Sequence, residues 1–323
     1  MARTADVDEL VERALAGDPR SVGRLITLVE DGAPQLRALM AALASRSGSA
    51  HIVGLTGSPG VGKSTTTSAL VAQFRAAGRR VGVLAVDPSS PFSGGALLGD
   101  RIRMQEHATD PEVFIRSMAS RGHLGGLASA TPQAVRVLDA AGCDPVLVET
   151  VGVGQSEVEV AGEADTTIVL LAPGMGDGIQ AAKAGILEVG DIFVVNKADR
   201  DGADATAREL RHMISLGPSG QAGAWKPPVL KVIATRGEGL SALVAAIDEH
   251  RAWLESSGTG TVRRRTRARS EIQGIALAAL QARFAGIGGD GALEGLADDV
   301  AAGRTDAFTA ADRIVAEVAG RAG

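Results

Sequence analysis

The chain contains no tyrosine, and its 323 residues include two tryptophans and six phenylalanines. Single-stranded nucleic acid is held largely by stacking bases on aromatic rings, and nucleic-acid binders in general carry a basic footprint. An aromatic content of 2% and a formal net charge of −5 therefore argue against nucleic acid as a partner. Cys143 is the single cysteine, which rules out an intrachain disulfide and a thiolate metal cluster. No apolar run reaches the ~18 residues of a membrane span, so no membrane partner is expected. The first residues, "MARTADVDELVERALAG", carry carboxylates and lack the apolar core of a signal peptide, and the expected location is the cytoplasm. What remains, 45% hydrophobic and 22% charged residues, is the composition of a soluble globular protein long enough for one large core, or one core with appendages.

Three segments follow from the patterning. Residues 1–48 read as a helical extension: Val7, Leu10, Val11, Ala14 and Leu15 make one stripe, with Asp6 and Glu9 at capping-box spacing. Val22, Leu25, Ile26 and Val29 make a second stripe, and Leu36, Leu39, Met40 and Leu43 a third after Pro34. "SRSGSA" (45–50) reads as a linker. From 49 to 255, short apolar runs at 52–56, 81–86, 113–117, 146–150, 167–172, 192–196 and 229–234 alternate with helix-like stretches at 63–77, 131–141, 178–188, 204–215 and 240–254. Such alternation implies an α/β fold, a mostly parallel sheet with helices on both faces. Residues 256–323 begin with a Gly/Ser/Thr break and five arginines between 263 and 269, read as a solvated basic connector or helix start, with a docking surface for an acidic partner as the alternative. Two helical stripes follow, Ile272, Ile275, Ala276, Ala279, Leu280 and Phe284, then Ile314, Val315, Val318 and Ala319 after a Gly-rich turn at 286–291. That tail is too small for a core of its own and has to pack on the main domain or on another subunit.

The chemistry concentrates in the middle segment. "GSPGVGKS" matches G-x-x-x-x-G-K-[ST] between an expected strand and an expected helix. Glycines let successive backbone N–H groups point inward at phosphate oxygens, and the helix aims its N-terminus at the same charge. The nucleotide-binding set is Gly57, Ser58, Pro59, Gly60, Val61 and Gly62, then Lys63, Ser64 and Thr65; Lys63 would neutralise the terminal phosphates and the Ser64 hydroxyl would bind Mg²⁺. "VVNKAD" ends a later strand and indicates which base is bound. A carboxylate only accepts hydrogen bonds, and guanine offers N1–H and its exocyclic NH₂ side by side, whereas adenine presents an unprotonated nitrogen there. Asn196 and Asp199 therefore suit guanine, with the Lys197 stem lying along the base. "IATRGEG" (233–239) sits where a last loop closes over the base, bringing in Ala234 and Thr235. GTP, exchanging with GDP, is the expected ligand.

In "VLVETVGVGQSE", Glu149 ends a buried strand and Gly152 follows at the spacing of a γ-phosphate sensor. Glu149 would hold Mg²⁺ or its water. Many signalling GTPases place Asp there and Gln directly after the glycine; here Val153 replaces that water-positioning Gln, and Gln155 is offset, so slow intrinsic hydrolysis accelerated by a partner or a moving loop is expected. Asp87 ends a strand near the phosphate loop and Asp100 lies further along "PSSPFSGGALLGD"; both are Mg²⁺ candidates. "APGMGDGIQAAKAG" (172–185) is another Gly-rich loop entering a helix, carrying Asp177 and Lys183, and by itself reads first as a plain strand–helix connection. The five histidines are scattered without metal-ligand spacing.

Together, "GSPGVGKST", "AVDPSSPFSGGALLGDRIRM", "SMASRGHLGGL", "ETVGVGQSE", "APGMGDGIQAAKAGILEVGDIFVVNKAD" and "RGEGL" resemble the MeaB/ArgK family of methylmalonyl-CoA mutase-associated GTPases, which includes the human methylmalonic aciduria type A protein. The family belongs to the glycine-rich, Glu-containing class of P-loop GTPases, which also holds nickel chaperones. The resemblance implies a chaperone that couples GTP binding and hydrolysis to loading of adenosylcobalamin into methylmalonyl-CoA mutase, or a related acyl-CoA mutase, and to removal of damaged cofactor. It also implies a homodimer joined through the C-terminal arm, with a cobalamin adenosyltransferase as a further candidate partner. By the same resemblance Asp177 and Lys183 become catalytic residues that turn to the nucleotide when the mutase docks, joining Lys63, Glu149 and Gly152. The metal set becomes Ser64, Asp87, Asp100 and Glu149. "ATRGEG" departs from the pattern, with Ala234 and Thr235 where many GTPases have Ser-Ala. Two alternatives compete. A metal-inserting GTPase would need a Cys/His entry site, and a transport-associated kinase or ATPase would need adenine recognition; the composition supplies the first poorly and Asp199 opposes the second.

Overall fold

A computed structural model describes residues 7–88, 104–107, 109–120, 130–150, 162–174, 187–216, 223–287 and 291–320. Among these, seven strands form one wholly parallel sheet: β1 Ile52–Thr56, β2 Val81–Pro88, β3 Val113–Ser120, β4 Val146–Thr150, β5 Thr166–Leu171, β6 Ile192–Val195 and β7 Val229–Lys231, in the order β3-β2-β4-β1-β5-β6-β7. The helices are α1 Val7–Leu15, α2 Pro19–Glu30, α3 Leu36–Leu43, α4 Lys63–Ala76, α5 Thr131–Ala140, α6 Ala203–Leu216, α7 Leu240–Ser256, α8 Thr259–Ile287, α9 Gly291–Ala301 and α10 Ala307–Gly320. The chain divides into two compact units, Met1–Arg267 and Ala268–Gly323. No helix among the described residues is long and apolar enough to cross a membrane. Asp6, half of the expected capping box, lies outside the described residues, as does most of the helix expected at 178–188, whose end is represented by the turn Leu187–Val189.

Strands buried on both sides alternate their side chains between two helical layers. Val146 and Val148 of β4, with Leu84 and Val86 of β2, face α1, α2, α3 and α5. Leu147 of β4 and Val81 and Val83 of β2 face the opposite way, into a core with Leu70, Val71 and Phe74 of α4 and Leu243 and Ile247 of α7. Residue 149 shares the parity of Leu147, so the β4 pattern sends a carboxylate to the α4 side. Its register neighbours are Leu55 of β1 and Ala85 of β2. The N-terminal extension is fastened locally and tertiarily. Asp18 caps α2 through the Ser21 amide at 3.0 Å with Pro19 as the first helical residue. Arg116 of β3 bonds Glu30 at 3.0 Å and Thr27 at 3.2 Å.

The expected linker at 45–50 is tied down: Asp139 of α5 accepts from the Gly48 amide, from Ser49 Oγ at 3.1 Å and from the Ala50 amide at 3.0 Å. The arginine-rich stretch is a helix start, one of its two expected forms, and not a connector: it lies in the first turns of α8, which starts at Thr259. Arg263 forks onto Asp191 at 2.8 and 2.9 Å, and Arg267 bonds Asp165 at 2.5 Å. Asp165 and Asp191 sit just before β5 and β6 and also accept from the Ile52 and Thr167 amides, so the first turns of α8, up to Arg267, are pinned to the amino-terminal edge of the sheet. Burial alone would raise the Asp165 carboxyl; Arg267 and the Ile52 amide hold it below the usual carboxylate range instead.

Candidate functional site

Among the described residues, the phosphate-loop motif and the "NKAD" motif lie at the opposite, carboxyl-terminal edge, where ligands of open parallel sheets bind. The loop 57–62 leaves central strand β1 and enters α4, whose N-cap, Gly62, has φ 95° and makes no side-chain cap bond. Gly57 is held at φ 141° so close to β5 that a Cβ would stand 2.3 Å from the Leu170 carbonyl oxygen. At Gly62 a Cβ would stand 2.5 Å from Asn196 Nδ2. These two positions demand glycine for different reasons, approach to a neighbouring strand and approach to a neighbouring loop. Lys63 is buried and donates to the carbonyls of Gly57 and of Ser58, the latter at 3.3 Å.

Ser64 Oγ donates to Glu149 Oε1 at 2.5 Å, with Glu149 only 1% exposed. A hydroxyl and a carboxylate converging at a helix N-terminus beside a phosphate loop are the hard oxygen donors Mg²⁺ prefers when phosphates and waters complete its shell. The residues therefore fit the ion. Asp87 lies in β2 two residues beyond Ala85, the register partner of Glu149, and its side chain is outside what is described. Asp100, Gly152, Asp177 and Lys183 lie outside the described residues altogether. Among the described residues no group of three or more His, Cys, Asp or Glu is arranged to hold a metal.

The base motif and the phosphate loop touch directly. Asn196 Nδ2 donates to the Val61 carbonyl at 2.9 Å, and Asn196 Oδ1 accepts from the Ala234 amide at 3.2 Å. One buried side chain therefore joins the phosphate loop, the loop after β6 and the loop after β7. Lys197 has φ 55°, the one positive φ outside glycine among the described residues, and its Nζ donates to the Gly60 carbonyl at 2.6 Å. Strained backbone of this kind persists where surrounding contacts dictate it. Ala234 is buried, while Thr235 is exposed. The Asp199 carboxylate is exposed and pairs with Arg236 Nη2 at 3.3 Å. Sequence reading identified Asn196 and Asp199 as a pair of base readers. The structure gives them different surroundings, Asn196 buried and joining three loops and Asp199 exposed beside Arg236, a residue that carries no motif signal of its own.

A second polar cluster, at the far edge of the sheet, was invisible in the scattered histidines. His51 and His250, 1% and 0% exposed, both contact Thr166 Oγ1 at 2.7 Å. One hydroxyl proton can serve only one imidazole, so the network reads as His51 Nε2–H donating to Thr166 and Thr166 donating to His250 Nδ1. His250 Nε2 then faces Asp191 Oδ1 at 3.3 Å. Burial pushes both imidazoles down to about 4, so both are neutral at pH 7.

A phosphate loop after the central strand, the Ser64–Glu149 pair at its exit and a loop after β6 that touches the phosphate loop give the architecture of a P-loop GTPase. Comparison with known proteins narrows the class. The family model described as methylmalonyl-CoA mutase-associated GTPase MeaB matches residues 22–287, and the chain belongs to that family. A Pyrococcus abyssi protein called "Putative GTPase" is 48% identical over 97% of each chain. The mouse protein called methylmalonic aciduria type A homolog, mitochondrial, is 38% identical over 66% of this chain and 52% of its own length. A crystal structure of an LAO/AO transport system kinase superposes with TM-score 0.72 at 26% identity, covering 98% of this chain and 99% of the other.

Proposed function

We propose that this chain binds GTP with Mg²⁺, hydrolyses it slowly, and uses the cycle as a chaperone for an adenosylcobalamin-dependent mutase, methylmalonyl-CoA mutase or a close relative. The observation that carries the nucleotide half is the contact between motifs far apart in sequence: Lys197 reaches Gly60 across 137 positions and Asn196 reaches Val61 across 135, so a single nucleotide spans both. Lys63 and the loop amides would bind the phosphates, and Asp199 would accept the guanine N–H groups. Ser64 and Glu149, with Asp87 and Asp100 as further ligands, would hold the ion. When bound, Mg²⁺ supplies charge neutralisation for the phosphoryl oxygens. Gly152 is assigned the γ-phosphate sensor, and Asp177 and Lys183 a partner-dependent catalytic role; Val153 in place of Gln supports low intrinsic turnover.

The client half rests on the family description and on the name of the mouse relative. A homodimer through residues beyond 256 is supported by the exposed apolar side chains Ile272, Ile275, Leu277 and Leu280 of α8 and Phe308 and Val315 of α10. A cobalamin adenosyltransferase is a second candidate partner, and the cytoplasm the proposed location. The test is co-purification of the full chain with candidate acyl-CoA mutases, followed by GTP turnover with and without the mutase. Association with faster turnover is expected; no association with any such mutase and unchanged turnover would sink the chaperone role.

A further inference from the structure

We infer that Arg236 is a tethered stand-in for the guanine edge: without nucleotide its guanidinium occupies Asp199, and base binding displaces it. The inference rests on Asp199 being the guanine reader, as proposed above. Guanine offers a carboxylate an N–C–N fork of two parallel N–H donors, and a guanidinium is the same fork with a positive charge. Arg236 Nη2 stands 3.3 Å from Asp199 Oδ2, the group the base would claim.

The surrounding structure makes this an exchange. The backbone carrying Arg236 is fixed: it closes the turn Ala234–Arg236, with the Ala234 amide held by Asn196 and the Arg236 amide donating to the Ile233 carbonyl at 3.0 Å. The side chain is not fixed, being 53% exposed. It also has a second ionic partner, because Arg236 Nε lies 3.4 Å from Glu238 Oε1. A guanidinium leaving Asp199 therefore keeps a carboxylate beside it, and displacement costs one exposed ion pair instead of two. An exposed pair of this kind closes with an equilibrium constant of order one to five. Competition from the closed form then weakens guanine-nucleotide binding about two- to sixfold.

The experiment is calorimetric titration of the nucleotide-free full chain with GDP, for wild type and Arg236→Ala, at low and high salt. The expected result is two- to sixfold tighter GDP binding by Arg236→Ala at low salt, with the difference shrinking at high salt as the ion pair is screened. Unchanged or weaker GDP binding at low salt would overturn the stand-in role. Asp199→Asn keeps this failure distinct from failure of the guanine reading. That variant should prefer XDP to GDP, and in its background Arg236→Ala should leave XDP affinity unchanged, since no carboxylate remains to be capped. If Asp199→Asn does not change preference, the guanine reading itself falls. If it does and Arg236→Ala still alters XDP binding, only the stand-in falls.

Discussion

Replacing Asn196 by alanine separates two roles that the base motif could have. Its amide bonds to Val61 and Ala234 are 2.9 and 3.2 Å long, and the residue is 2% exposed. Truncation leaves a buried carbonyl and a buried amide without partners, each costing about 1–3 kcal/mol. Gly62, beside the Val61 carbonyl, is only half-buried, so water can recover part of the first term. The expected loss is about 2–4 kcal/mol of stability in the absence of any nucleotide, a fall in Tm of roughly 3–6 °C for a chain of this size. Loosening the joint between the loops should also weaken nucleotide binding, by roughly ten- to a hundredfold. Urea denaturation of nucleotide-free protein reads the first quantity and titration with a fluorescent GDP analogue the second. If ligand-free stability stays within about 0.5 kcal/mol of wild type while affinity falls, Asn196 is a base contact and the loop-joining role is refuted.

Three further outcomes are expected. Glu149→Gln retains an acceptor for the Ser64 hydroxyl but removes the charge, so the protein should remain folded while Mg²⁺-dependent GTP turnover falls about a hundredfold or more; unchanged Mg²⁺ activation would count against the ion site. Arg263→Ala strips the forked partner from buried Asp191, which keeps the Thr167 amide, and because Arg263 is itself 35% exposed the cost in urea unfolding should be about 1–3 kcal/mol. His51 and His250 have folded pKa values lowered to about 4, so between about pH 6.5 and 4 the unfolded chain binds protons that the folded chain does not. Stability should therefore fall as pH drops through that window, by up to ~1.4 kcal/mol per pH unit for each histidine, and a double His→Gln variant should flatten the slope. Both tryptophans, Trp225 and Trp253, lie against His250, so intrinsic fluorescence reports this region directly; a slope equal in the double variant would reject the assignment.

How much of this was legible in sequence depended on whether the cause was local. The strands were, because a strand buried on both faces writes a short apolar run between turn signals, and the runs at 52–56 and 146–150 coincide with β1 and β4. The phosphate loop was, because its mechanism needs glycines at fixed offsets. Helix α9 was not expected, since its sequence opens "GALEGL" and glycine obscures the periodicity. The arginines at the start of α8 were legible as a helix start but not as a clamp: Arg267 and Arg263 look like surplus surface charge until Asp165 and Asp191, 102 and 72 positions upstream, come beside them. The two roles inside "NKAD" could not be told apart by spacing either, because the partners of Asn196 lie in two other loops. Arg236 acquires meaning only through its distance to Asp199.

The central claim, that one guanine nucleotide bridges the phosphate loop and Asp199, is tested most directly by competition. A fluorescent GDP analogue bound to the full chain with Mg²⁺ should be displaced by GTP or GDP, and ATP at a hundredfold higher concentration should displace little of it. Displacement by ATP as effective as displacement by GTP would contradict the account.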